Sequence, residues 1–189
     1  MRKVIYAMSV SVDGFIETAN GDISWSFPDA ELHHHFNDRE STIDTHLYGR
    51  RLYENMVAYW PKADGNPSAP EFEIEYARIW REKKKIVFSK TLTQVSWNCQ
   101  LFKGNIAEEI NKLKSQPGKD MSVGGANLAS TFMQLGLIDE YCLYVHPIIL
   151  GSGEPMFPRL RDKINLKLVE TRTFGSGVVL LKLVNKGTA

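Results

Sequence analysis

Met121-Ser122-Val123-Gly124-Gly125-Ala126-Asn127-Leu128 sets two adjacent glycines between an apolar, strand-like run and a helical pattern. Leu128, Phe132 and Leu135 form the stripe of that helix, and Gly136 closes it. Glycines remove the Cβ atoms that block close approach. A helix starting at about Ala126 offers unpaired N–H groups and a positive dipole end to an anion. A strand, a glycine turn and a helix in that order also predict a parallel α/β sheet.

Working outward, Val4-Ile5-Tyr6-Ala7-Met8 is a near-continuous apolar run, as expected of a strand covered on both faces in the middle of a sheet. Leu32 and Phe36 mark a helix beginning near Asp29, just after Pro28. Phe72, Tyr76, Ile79 and Trp80 mark a second helix, and Ile106, Ile110 and Leu113 a third. Lys85-Ile86-Val87-Phe88-Ser89 is a short strand. Tyr141 to Leu150 reads as a long strand, and Leu166 to Thr173 with Val178 to Val184 flank Phe174-Gly175-Ser176-Gly177 as a hairpin. The pattern is a mostly parallel sheet with antiparallel strands at one edge. Pro61 to Pro70, rich in Pro, Gly and Ser, predicts a surface loop near the site.

Length and charge narrow the classes. A chain of 189 residues with 43% hydrophobic content suits a single domain, 1–189, with a substantial core. The net charge is +1 and the basic residues are scattered, so no nucleic-acid or membrane footprint is expected. Lys83-Lys84-Lys85, the one run of three, reads as a solvated helix end. There is no run approaching the ~20 apolar residues of a membrane span. Cys99 and Cys142 are too few for a disulfide framework, so both are expected reduced in the cytoplasm. His33-His34-His35 point about 100° apart around a helix and cannot converge on one metal, so no metal site is expected. His146-Pro147 closes a strand and reads as packing.

The order of motifs resembles the dihydrofolate reductase-like superfamily, in particular the bacterial group similar to the C-terminal reductase domain of the bifunctional riboflavin-biosynthesis deaminase/reductase. The resemblance is carried by Ser11-Val12-Asp13-Gly14-Phe15-Ile16; Trp25 with Phe27-Pro28; Tyr48-Gly49-Arg50-Arg51-Leu52-Tyr53-Glu54; Lys85 to Lys90; and Val123 to Leu128. It continues through Leu135 to Glu140 and Pro147-Ile148-Ile149-Leu150-Gly151-Ser152-Gly153 to Phe157, and so spans almost the whole chain. It implies a three-layer α/β/α fold with a central mixed, mostly parallel sheet and an antiparallel C-terminal hairpin. It also implies an NADPH-dependent reductase, a small heterocyclic substrate and a homodimer.

Residue by residue, the resemblance places Gly124 and Gly125 against the cofactor diphosphate, joined by a cis peptide, with Ala126, Asn127 and Leu128 as N–H donors. Gly49, Arg50 and Arg51 match a second phosphate-binding turn, and Ser89 and Lys90 the position that meets the adenosine 2′-phosphate, favouring NADPH over NADH. Asp13, a catalytic candidate, lies in the loop that covers the nicotinamide, and Trp25 lines the substrate pocket. The pocket acid is Glu31 or Asp29, with Glu31 placed ahead because Asp29 also reads as the helix N-cap. Lys62 and Arg159 or Arg161 are the basic residues assigned to a substrate phosphate. Three activities fit: a ribosylamino-pyrimidine reductase, which matches best, a dihydrofolate reductase, or a nucleotide-binding protein without catalysis.

Overall fold

The computed structural model describes residues 1–158 and 160–186; Arg159, named above for a substrate phosphate, lies outside the described residues, as do 187–189. One eight-stranded sheet runs through the molecule in the order β5-β4-β3-β6-β1-β7-β10-β9. Its six parallel strands are β1 (Val4–Ser11), β3 (Ile43–Gly49), β4 (Lys84–Phe88), β5 (Cys99–Phe102), β6 (Asp120–Gly124) and β7 (Glu140–His146). The hairpin of β9 (Leu166–Thr173) and β10 (Val179–Asn185) adds two antiparallel strands at the β7 side. The short strands β2 (Phe15–Thr18) and β8 (Gly153–Pro155) pair apart from the main sheet.

Side-chain parity along the strands builds three layers. On β1, Val4, Tyr6 and Val10 join one buried cluster while Ile5 and Ala7 join another. The first cluster takes Ile110 and Leu113 from helix α4 (Ile106–Ser115) and Leu128, Ala129 and Phe132 from α5 (Ala126–Gln134). The opposite face takes Leu32 and Phe36 from α1 (Ala30–Glu40), and Tyr53 and Leu52 from α2 (Arg50–Tyr59). Helix α3 (Glu71–Glu82) packs on α1 and buries Ala77 and Trp80. Each fully buried aliphatic or aromatic side chain of this kind contributes ~1.5–3 kcal/mol, and burial on both faces works against the ordering entropy of the chain. The mixed, mostly parallel sheet and its C-terminal hairpin agree with the sequence reading.

Four expectations change. The strand after Gly136 stops at His146 rather than Leu150, because Pro147 has no N–H to continue the ladder and Ile148 turns back to donate to the His146 carbonyl at 2.8 Å. The Pro61–Pro70 segment is half ordered as a 3-10 helix, Trp60–Gly65, held against α3 by the Arg81–Asp64 ion pair, and it borders neither cavity described below. In the Lys83-Lys84-Lys85 run only Lys84 is exposed. Lys85 is fully buried and donates to the Trp80 and Lys83 carbonyls at the end of α3. Last, no cis peptide bond occurs among the described residues, so Gly124–Gly125 is trans. The chain turns there through the positive φ of Gly125, 92°, a conformation that glycine adopts without penalty.

Candidate active site

Strands β3 and β6 lie side by side, with Tyr48 opposite Gly124. Each passes directly into a helix: β3 through Gly49 into α2, and β6 through Gly125 into α5. No side chain caps either helix. Helices α1 and α4 do have caps, Asp29 accepting from Leu32 N–H and Asn105 from Ala107 and Glu108 N–H, while α3, which starts after Pro70, also has none. The two bare N-termini border one cavity of about 550 Å³, whose lining includes Gly49, Arg50, Arg51, Gly125, Ala126, Asn127 and Leu128. That volume suits a dinucleotide-sized or drug-sized ligand. It opens at the carboxyl ends of parallel strands, where open α/β sheets take their ligands.

The glycines keep this floor open. A Cβ on Gly124 would stand 2.4 Å from Leu52 Cδ2, and Leu52 itself lines the cavity. The mouth is charged. Arg50 Nε donates to Glu54 at 2.7 Å and its Nη1 to Thr91 Oγ1 at 3.1 Å. Arg51 faces Glu17 of β2, and Glu17 and Glu154 also line the cavity. Ser89 and Lys90 follow β4 just outside the lining residues; the Ser89 hydroxyl accepts from Leu92 N–H at 3.1 Å, and Arg50 reaches Thr91 immediately beyond them.

A second cavity, of about 230 Å³, is walled by Trp25, Phe27, Asp29, Leu32, His146 and the hairpin residues Ser176 and Val178. Ile23 borders the larger cavity and Trp25 the smaller, so one short segment runs between them. Of the acid candidates, Asp29 lines this cavity while also capping α1, its Oδ1 accepting from Leu32 N–H at 2.9 Å. Glu31 lines neither cavity. Its carboxylate accepts from Gly175 N–H at 2.8 Å and from Arg172 Nη2 at 3.2 Å, tying α1 to the hairpin that roofs the smaller cavity. Asp13 accepts from Ser11 Oγ at 2.6 Å, Gly151 N–H at 2.7 Å and Leu150 N–H at 3.1 Å. These bonds, the Ser11 hydroxyl foremost, hold its carboxyl below the usual range, and they fasten the loop after β1 to the loop before β8.

Sequence reasoning missed Glu17, Glu154, Leu52 and Asn55 in the larger cavity and the inward face of His146 in the smaller one. Nothing local signals the first group, because each meets its neighbours only through the fold. His146 carries a faint signal, a polar ring next to proline at the end of an apolar strand. Among the described residues no group of His, Cys, Asp or Glu is arranged to hold a metal ion.

A mixed sheet flanked by helices, with a glycine-floored cleft at two bare helix N-termini and a small second pocket beside it, defines a dihydrofolate reductase-like fold. The Enterococcus faecalis dihydrofolate reductase, solved with NADP(H), superposes with a TM-score of 0.63 at 12% identity over 97% of this chain and 96% of its own. More specifically, the chain belongs to the RibD C-terminal domain family, whose model matches residues 2–180. It is 44% identical over 179 residues to YyaP, an uncharacterised Bacillus subtilis (strain 168) protein, covering 94% of this chain and 92% of that one. A Shewanella sp. PV-4 protein provisionally assigned to riboflavin biosynthesis superposes with a TM-score of 0.78 at 21% identity, covering 97% and 99% of the two chains. The Thermotoga maritima diaminohydroxyphosphoribosylaminopyrimidine deaminase/5-amino-6-(5-phosphoribosylamino)uracil reductase gives 0.66 at 15% identity, covering 97% of this chain and 56% of its own. Among the described residues no helix is long and apolar enough to cross a membrane.

Proposed function

We propose that this protein is a cytoplasmic, NADPH-dependent reductase of a pyrimidine-type heterocycle. The observation that carries the reading is the pair of uncapped helix N-termini, α2 and α5, side by side on one glycine-floored cavity. Two positive dipole ends and the N–H groups of Ala126, Asn127 and Leu128 suit the two phosphates of a dinucleotide. Gly49 and Gly125 allow the close approach. Arg50, beside Thr91, suits the additional 2′-phosphate, since a guanidinium fork makes charge-assisted bonds with a dianion.

When bound, the nicotinamide supplies hydride, and the chain's own residues do the rest. The segment from Ile23 to Trp25 runs between the cofactor side and the smaller cavity, which is the place for the substrate ring in this reading. Asp29 is the carboxylate that orients this ring. Glu31 and Arg172 hold the hairpin roof in place. Asp13 acts one step further back, by fixing the loop after β1. The Thermotoga maritima reductase name favours a ribosylamino-pyrimidine over dihydrofolate as the substrate. A homodimer belongs to the same reading, through β9, whose residues are exposed along nearly their whole length at the free edge of the sheet.

The test is loss of NADPH absorbance with purified protein and a panel of ribosylamino-pyrimidines and dihydropterins. Oxidation with a pyrimidine at higher kcat/KM than with dihydrofolate is expected. A preference for dihydrofolate overturns the substrate class, and no tight binding of NADP+ overturns the reductase reading.

A further inference from the structure

The larger cavity has a direction along the sheet. Strands β4, β3, β6 and β1 stand side by side in that order, with β7 next to β1. At one end Arg50 reaches Thr91, just past β4. The bare starts of α2 and α5 follow β3 and β6. At the other end the lining comes from Met8 of β1, Ile16 of β2, Ile23 and Glu154 of β8. Burial, and then the charge of Glu154, raise the Tyr6 phenol above its ordinary pKa, so this carboxylate stands close to β1. Across the β2–β8 ribbon Glu154 is paired with Glu17, and like charges set directly opposite each other work against strand pairing. The two strands touch there, since a Cβ on Gly153 would stand 1.9 Å from the Glu17 carbonyl oxygen. Arg51 compensates Glu17. Glu154 is half-buried, and among the described residues its carboxylate has no ion pair and no hydrogen bond. It is the uncompensated charge at this end of the cavity, set among Met8, Ile16 and Ile23, where charge is screened less than in open water.

We infer that Glu154 faces the nicotinamide end of the bound dinucleotide and selects the oxidised, cationic ring over the neutral, reduced one. The inference rests on the cofactor reading of this cavity. With the 2′-phosphate at Arg50 and the diphosphate at the two helix starts, the rest of the dinucleotide extends toward β1, where Glu154 stands. The oxidised ring carries a full positive charge and is attracted by the carboxylate, whereas the reduced ring is uncharged and gains nothing from it. The preference bears on direction, because it favours the oxidised cofactor as a product of the reduction. Glu17 differs from its partner across the ribbon. Its charge acts through Arg51 on the phosphates, which both forms of the cofactor carry alike.

The experiment is calorimetry of the full chain with NADP+, NADPH and 2′-phospho-ADP-ribose, which keeps the phosphates and lacks the nicotinamide. Glu154→Gln is expected to weaken NADP+ about fivefold relative to NADPH, the factor of a partly exposed charge pair, and to leave 2′-phospho-ADP-ribose unweakened. Glu154→Asp, which keeps the charge, should recover part of the ratio, and Glu17→Gln should shift NADP+ and NADPH together. A substitution that merely loosens the fold does not move the ratio of two ligands filling one cavity, and Glu154→Ser serves the same comparison if glutamine is not tolerated. An equal change for NADP+ and NADPH, or no change, overturns the assignment. So does a matching loss for 2′-phospho-ADP-ribose, which would put the carboxylate at the phosphate end. A wild type that binds none of the three removes the cofactor reading together with the inference, whereas binding of all three with an unmoved ratio removes the inference alone.

Discussion

Arg51 and Glu17 face each other across the mouth of the larger cavity, with Arg51 Nη2 2.6 Å from each carboxylate oxygen of Glu17. One comes from the start of α2 and the other from β2, and both line the cavity. A phosphate entering there competes with Glu17 for the guanidinium. Because the Arg51 side chain is 61% exposed, the pair is worth no more than ~1 kcal/mol. Glu17→Gln should therefore tighten NADP+ binding by up to about fivefold, measured by calorimetry, and Arg51→Gln should weaken it. Weaker binding in Glu17→Gln would assign that carboxylate to the ligand instead.

The two central glycines should fail in different ways. Alanine at position 124 clashes with the end of the Leu52 side chain, which can swing away into the cavity, and meets Tyr48 only at ordinary contact distance. Gly124→Ala should thus lose cofactor affinity more than stability. Gly125→Ala places a Cβ at φ 92°, ψ 123°, a backbone conformation L residues rarely adopt, which costs ~1–3 kcal/mol. Thermal unfolding and NADP+ titration of both variants separate the effects.

Asp29 and Glu31 are separable by conservative amides. Asparagine caps a helix as well as aspartate does, so Asp29→Asn should melt like the wild type yet lower kcat by about 100-fold, the lower end of what a positioned acid–base group contributes. Glu31→Gln keeps an acceptor for Gly175 N–H and should change kcat less than about threefold, consistent with a half-exposed pair. Steady-state rates on the same substrate check both, and the reverse ranking would make Glu31 the pocket acid.

Acid should destabilise the fold through histidine. Burial is the main reason that His33, His35 and His146 all titrate below the ordinary value of 6.5 when folded. As pH falls through 6.5 the unfolded chain takes up these protons first, so stability declines from there downward. Urea midpoints at about pH 8 and about pH 5 should differ, and the difference should shrink in His33→Phe and His146→Phe. An unchanged difference in both variants would assign the acid sensitivity to carboxylates.

If β9 pairs with its counterpart in a second copy, Leu168 and Val169, 51% and 48% exposed, become covered. Leu168→Lys together with Val169→Lys should then convert a dimer to a monomer in sedimentation equilibrium without lowering the melting temperature of the monomer. A wild type that sediments as a monomer at all concentrations removes the dimer.

Much of this molecule was legible in local order. Val4 to Met8 announced a central strand because a segment covered on both faces must be apolar on both, and Gly124-Gly125 announced the turn at the head of α5 because the cleft needs backbone without Cβ there. Asp29 was readable as a cap from its place after Pro28. Of the histidine run, His33 and His34 both pack against Phe72, and His35 turns to Tyr144.

What the chain by itself determined is therefore the sequence of strands, turns and helices and the family they compose, since those depend on periodicity, glycine and proline at fixed spacings. The tertiary structure alone decided which polar groups face a cavity. Glu31 and Asp29 stand two positions apart with the same chemistry, yet the hairpin takes one and the smaller cavity the other. Lys85 looks like its two neighbours and is buried, because strand β4 turns it toward the carbonyls that end α3. His146 faces Trp25 across 5.5 Å only because β7 and the segment after β2 are brought together from 121 positions apart (146 − 25). Such contacts depend on which way each strand presents alternate residues and on loops closing over long separations, and neither leaves a mark within the few residues on either side.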